Sequence, residues 1–138
     1  MRFLAVDPGE RRLGIAISDP TGTIANPLTI IKHISHTMDA ARIEQLAQEN
    51  GVGLIIVGQA LDEDNLPTQQ SRRAERLANA IRAQCDFAVE LWDESGSTQA
   101  ARTARIAMGV SRHKRRGHID DLAATYILQT YLDARQQK

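Results

Sequence analysis

Three acidic positions in this chain occupy places where a functional carboxylate is expected. Asp7 ends the continuous apolar run Phe3 to Val6 and leads into the turn-forming residues Pro8, Gly9 and Glu10. The carboxyl end of a buried strand is where α/β sheets bind ligands, although an Asp before Pro-Gly can also serve only to cap its turn. Asp93 and Glu94 follow a second apolar segment in which Phe87, Val89 and Leu91 alternate. Asp120 opens the last helical stretch. On a wheel advancing about 100° per residue it falls near the middle of the half that holds Ile119, Ala123, Ala124, Ile127, Leu128, Tyr131 and Ala134, with Asp121 at the edge. An acid in a buried arc is costly to ionise unless it is paired or holds a cation. Close to a helix N-terminus, it can instead serve the helix dipole.

Hard oxygen donors from separated segments suit Mg²⁺ or Mn²⁺, which keep several waters and take substrate phosphates as further ligands. They do not suit zinc, and His33, His36, His113 and His118 show no zinc spacing. Two such ions about 4 Å apart would activate a water and stabilise the leaving oxygen of a phosphodiester. The charge pattern agrees with that chemistry. Between Glu94 and Asp120 there is no acidic residue, yet Arg102, Arg105, Arg112, Lys114, Arg115 and Arg116 all fall there. A basic run is often no more than a solvated surface. Here its densest part, Arg112 to His118, abuts Asp120, and a basic loop beside carboxylates admits a polyanion that they alone would repel.

The elements that must position these groups follow from periodicity. Phe3 to Val6 reads as a buried strand, Leu13 to Ser18 as a second, and Ile24 to Ile31 as a third. Pro27 cannot donate to a ladder, which puts the third strand at an edge. The pattern then alternates. A helix from Met38 to Asn50 stops at Gly51, a buried strand runs from Val52 to Val57, and a helix from Gln69 to Gln84 presents Ala74, Leu77, Ala78 and Ile81 on one face. The strand through Phe87, Val89 and Leu91 ends at Trp92, Asp93 and Glu94, and helices over Thr98 to Met108 and Ile119 to Arg135 flank a loop from Gly109 to His118. A three-stranded meander followed by strand–helix units describes an α/β fold, a five-stranded mixed sheet flanked by helices.

Composition narrows the function classes. With 138 residues the chain is expected to form one domain, residues 1–138, with a real core. Its single cysteine, Cys85, cannot form an internal disulfide, which fits a reducing, cytoplasmic setting. Four apolar residues before Asp7 are too few for a signal-peptide core, and no segment approaches a membrane span. No aromatic stacking platform is visible, Trp92 reading as core, so RNA and DNA are not separated as substrates. No surface stripe separates monomer from homodimer.

Four segments together resemble the YqgF family, also called RuvX-like proteins, within the RNase H-like superfamily. The first, Asp7-Pro8-Gly9-Glu10-Arg11-Arg12-Leu13-Gly14-Ile15-Ala16, is similar to Asp-x-Gly-x-x-Arg-(Ile/Leu)-Gly-(Val/Ile)-Ala. The second, Ile55 to Leu61, is similar to Ile-Val-Gly-Leu-Pro-Leu; the third, Asp93 to Thr98, to Asp-Glu-Arg-x-(Ser/Thr)-Thr; the fourth, Ile119 to Leu128, to Asp-x-x-Ala-Ala-x-x-Ile-Leu after a basic loop. Two positions depart: Ala60 stands in place of the proline and Ser95 in place of the arginine, a bidentate phosphate donor.

The resemblance implies an RNase H-like sheet of order 3-2-1-4-5 with the first strand central. It also implies a metal-dependent endonuclease that processes the 5′ end of the 16S rRNA precursor, or one that resolves Holliday junctions. Carried over residue by residue, Asp7, Glu94 and Asp120 become a catalytic triad binding Mg²⁺ or Mn²⁺. Arg11, Arg12, Arg112, Lys114, Arg115 and Arg116 become the nucleic-acid-binding set. Many RNase H-like nucleases carry the second acid at the end of the fourth strand. Here that strand ends Val57-Gly58-Gln59. Glu94 must therefore reach in from the neighbouring strand, with Asp62, Asp93 and Asp121 as alternatives. A non-catalytic nucleic-acid-binding module is the competing expectation. Actin-like ATPases share the first motif but close two such domains, for which this chain is too short.

Overall fold

The computed structural model describes residues 1–93 and 119–136, the side chains of residues 119–121 excepted. The apolar segments become strands β1 (Arg2–Pro8), β2 (Arg12–Ser18), β3 (Ala25–Lys32), β4 (Val52–Gln59) and β5 (Ala88–Asp93). They form one sheet in the order β3-β2-β1-β4-β5. The β1–β2 and β2–β3 pairs are antiparallel, and the β1–β4 and β4–β5 pairs are parallel. This is the mixed sheet that the sequence and the family resemblance lead one to expect. Short turns can join only antiparallel neighbours, whereas parallel ones need a crossover. Pro27 lies in β3 at the edge, next to a register shift between Ile15 and Ala16.

The starts of β3 and the first helix differ from expectation, each because a polar side chain claims a backbone amide. Strand β3 begins at Ala25 rather than Ile24. The Ile24 amide donates to Asp19 Oδ1 at 2.8 Å, and so does that of Thr23 at 2.7 Å, which closes the β2–β3 turn. Gly22 in that turn has φ +71°, and a Cβ there would lie 2.7 Å from the Phe3 ring. Helix α1 (His36–Glu49) begins two residues before Met38 because Ser35 is its N-cap, accepting from the Met38 amide at 3.1 Å. Helix α2 (Gln69–Gln84) has the expected bounds and starts on a reciprocal cap between Thr68 and Ser71. Phe87 precedes β5 rather than opening it. The helix expected over Thr98 to Met108 and the loop Gly109 to His118 lie outside the described residues.

The third described helix, α3 (Ile119–Gln136), covers the face of the sheet opposite α1 and α2. The α1/α2 layer buries Leu4, Val6, Leu13, Ile15, Ile55 and Val57 with Ile43, Leu77 and Ile81. Each large aliphatic side chain buried in this way contributes roughly 1.5–3 kcal/mol. The α3 layer joins Phe3, Ala5, Ala16, Leu54 and Ile56 to Ala124, Leu128, Tyr131 and Leu132. Leu132 is fully buried whereas Ala134 is only partly so. The buried stripe thus follows the i, i+4, i+8 column of Ala124, Leu128 and Leu132. Among the described residues no helix is long and apolar enough to cross a membrane.

Candidate active site

Strands β1, β4 and β5 run parallel, so their carboxyl ends share one edge of the sheet. Asp7 stands at that edge, partly buried, one residue before the end of the central strand and paired with Gly14 of β2. Side chains alternate along a strand. Leu4 and Val6 face α1 and α2 while Phe3 and Ala5 face α3, which puts Asp7 on the α3 face. On β4 the position after the Val6–Val57 pair is Gly58. Asp7 is therefore the one side chain of its row between two glycines.

Helix α3 comes down onto this row. A Cβ at Gly58 would lie 2.6 Å from Ile127 Cδ1, so a larger residue there would have to push the Ile127 side chain aside. At the other end the Arg135 guanidinium lies over the Phe3 ring, 4.9 Å from its centroid. The helix thus runs antiparallel to β1 and carries its first turn, with Asp120, toward the edge where Asp7 stands.

Polar contacts fix α3 on both sides. Trp92 Nε1 donates to Thr130 Oγ1 at 3.0 Å, and the indole meets Tyr131 edge-on, so Trp92 is partly buried and packs against the α3 layer. The Tyr131 hydroxyl donates to Glu90 Oε2 at 2.8 Å; burial first, and then this bond, raises the phenol pKa. Toward β3, the Ala25 amide donates to Gln129 Oε1 at 2.9 Å, and Gln129 Nε2 donates to the Thr23 carbonyl at 3.1 Å.

The alternative acids have other surroundings. Val89 and Leu91 pack with the α1/α2 layer while Trp92 packs with the α3 layer, so Asp93 falls on the face opposite Asp7. Its Oδ1 accepts from the Leu61 amide at 3.5 Å. Asp62 is exposed and closes its own loop, Oδ1 accepting from the amides of Asp64 at 2.9 Å and Leu66 at 2.8 Å. Glu94, Arg112, Lys114, Arg115 and Arg116 lie outside the described residues, as do the side chains of Asp120 and Asp121. Arg11 and Arg12 are exposed in the β1–β2 turn, where the Gly9 amide donates to the Arg12 carbonyl at 3.0 Å. A Cβ on Gly9 would lie 2.5 Å from that oxygen. Arg12 pairs across the ladder with Lys32, so the rim beside Asp7 is basic.

Among the described residues no three His, Cys, Asp or Glu gather as a metal site. Asp7 supplies one hard oxygen donor of the kind that Mg²⁺ or Mn²⁺ takes. One feature escaped sequence reasoning: a cleft of about 350 Å³ lined by His33, His36, Gln69, Arg72, Arg73 and Arg76. The arginines were legible only as outward residues of α2. Nothing in the order of residues brings the two histidines to them.

Comparison with known proteins agrees with this geometry. A family model described as RuvX, Holliday junction resolvase, matches residues 1–134. A protein of Thermoanaerobacter pseudethanolicus named "Putative pre-16S rRNA nuclease" is 39% identical over 139 residues, covering 100% of both chains. One of Clostridium perfringens with the same name is 36% identical over 133 residues, 96% of this chain and 97% of the relative. Among solved structures, Thermus thermophilus RuvC superposes with a TM-score of 0.59 at 14% identity, over 99% of this chain and 97% of that one. The Fowlpox virus resolvase in complex with Holliday junction DNA gives 0.59 at 14% identity, over 98% and 99%. These two likenesses show a shared fold.

Proposed function

The chain belongs to the RuvX family of Holliday junction resolvases, and from that premise we propose that it is a metal-dependent endonuclease that processes the 5′ end of the 16S rRNA precursor in the cytoplasm. The single observation that carries this reading is the placement of Asp7. It is the one side chain between Gly14 and Gly58, at the carboxyl end of the central strand, under the helix that bears Asp120. Full-length identity to relatives bearing the rRNA-nuclease name favours RNA over branched DNA.

In this reading residues 1–138 act as one domain, as a monomer or a homodimer. Asp7, Glu94 and Asp120 supply the carboxylate oxygens that hold Mg²⁺ or Mn²⁺. The bound metal supplies activation of a water and neutralisation of charge on the phosphate. Arg11 and Arg12, together with Arg112, Lys114, Arg115 and Arg116, bind flanking backbone phosphates and orient the strand. Gly14 and Gly58 place no Cβ beside Asp7 in its row, so its carboxylate has room for a cation and a phosphate there.

Purified protein with Mn²⁺ should cut a fragment spanning the 5′ end of the precursor. The substitution Asp7→Asn should slow cleavage at least about 10³-fold, near 4 kcal/mol in barrier, with little change in melting temperature. Equal cleavage by wild type and Asp7→Asn would sink the mechanism. Faster cleavage of a four-way junction than of RNA would make it a junction resolvase, and salt-dependent binding without turnover would make it a binding module.

A further inference from the structure

We propose that the cleft formed by His33, His36, Arg72, Arg73 and Arg76 is a second backbone-phosphate site, gripping the same nucleic-acid strand that reaches Asp7; the inference rests on the nuclease reading above. The cleft opens between the start of α1 and the first turns of α2, and among the described residues no carboxylate lines it. Glu75 is exposed on α2 outside the lining, and the two other acids nearby are engaged or weakly held. Asp39 is buried and accepts from the Ile34 amide at 3.0 Å and from His33 Nδ1. Glu10 meets Arg73 at 3.6 Å but is itself largely exposed, which makes a weak pair.

The remaining positive charge is concentrated. Arg72 and Arg76 stand one turn apart on α2, a like-charge spacing that destabilises a helix slightly unless an anion intervenes. His36 feels the same field: burial lowers its proton affinity first, then His33, with Arg76 and Arg73 adding to the effect against the opposing pull of Asp39. Among the described residues the lining offers donors and charge but no apolar wall to hold a base or a sugar. That lining recognises phosphate along a chain and leaves the bases unread.

The cleft lies on the other face of the sheet from Asp7 and is joined to its edge through the β1–β2 turn. Strand β3 ends, and α2 begins, at the same sheet edge where Asp7 stands. The His33 amide donates to the Arg11 carbonyl at 2.8 Å, which joins the cleft to the β1–β2 turn. Glu10, the partner of Arg73, is three residues from Asp7, a span of at most about 11 Å. A nucleic-acid strand carries a phosphate about every 3.4 Å of helix axis. A strand cut at Asp7 on the α3 face can therefore pass over Arg11 and Arg12 and set phosphates a few nucleotides away into the cleft.

The test measures fluorescence anisotropy of a labelled single-stranded RNA on the whole protein without divalent metal, so that no cleavage occurs. The double variant Arg72→Gln/Arg76→Gln should bind at least about tenfold more weakly, with the salt slope reduced by about 1.4. Arg42→Gln, which removes an exposed charge of α1 outside the cleft, should change affinity less than about twofold. Unchanged affinity and slope in the double variant would overturn the proposal. Proton NMR of wild-type His36 gives a readout that survives misfolding of the variant. Added RNA should raise its proton affinity, and no change would count against the cleft. If inorganic phosphate at equal phosphate concentration shifts His36 as far as RNA does, the cleft is a small-anion site and the strand path is wrong. Loss of RNA binding in the double variant, with no cleavage by wild type under any metal, would keep the cleft and discard the nuclease. Intact binding by the double variant with normal wild-type cleavage would do the reverse.

Discussion

The two faces of the sheet are built from different materials. Beneath α1 and α2 the layer is aliphatic, with Leu4, Val6, Leu13, Ile15, Ile43, Ile55, Leu77 and Ile81 buried together. Beneath α3 the strands offer Ala5, Ala16 and Gly58, and the helix answers with Ala124 and sets the Ile127 side chain against Gly58. What this face lacks in aliphatic bulk it makes up with directed contacts: Trp92 to Thr130, Tyr131 to Glu90, and Gln129 to the start of β3. Bulk stabilises without fixing orientation, whereas small residues and hydrogen bonds set a helix at one height and rotation. The face that holds Asp7 is the one built for placement.

That contrast can be broken most directly by truncating one buried side chain on each face. Ile43→Ala on α1 and Leu128→Ala on α3 should each cost about 2–5 kcal/mol in chemical denaturation. Only Leu128→Ala should also lower cleavage per folded molecule, because it loosens the helix that carries Asp120. Equal loss of cleavage in both would end the division of labour between the faces. A smaller effect sharpens the point. Gly58→Ala should cost roughly 1–3 kcal/mol by pressing on Ile127, and trimming the neighbour in Gly58→Ala/Ile127→Val should recover part of that loss. Additive losses in that double-mutant cycle would mean that the helix does not rest on this glycine.

The smallest effect lies in the β2–β3 turn, far from the candidate site. Asp19 accepts amide bonds from Ile24, Thr23 and Thr21, with a further bond from the Thr21 hydroxyl. These bonds, that of Ile24 first, hold its carboxyl well below the usual carboxylate range. A depressed folded-state pKa stabilises above the unfolded value near 3.9 and is lost as pH falls toward the folded one. The stability difference between wild type and Asp19→Asn should therefore be flat above about pH 5 and shrink below about pH 4. A difference independent of pH down to acid unfolding would show that the carboxylate charge contributes nothing there.

Much of this was legible residue by residue. The apolar runs became strands, the bounds of α2 were those its periodicity predicts, and Pro27 marked an edge strand. The starts of β3 and α1 were misplaced because Asp19 and Ser35 take amides that apolar patterning does not register. The wheel of α3 placed its buried stripe but missed Leu132, since a wheel fixes angular spacing and not the direction in which the sheet lies.

What the sequence determined by itself are the features that depend on near neighbours: a carboxylate closing a buried strand, and a helix with an acid in its first turn. Only the tertiary structure decided that Asp7 shares a face with α3 while Asp93 does not, and that two histidines meet three arginines in one cleft. The reason is register. Alternation tells which residues of a strand share a side, but the side itself is set by pairing with segments remote in the chain, and a slip of one residue would exchange the faces.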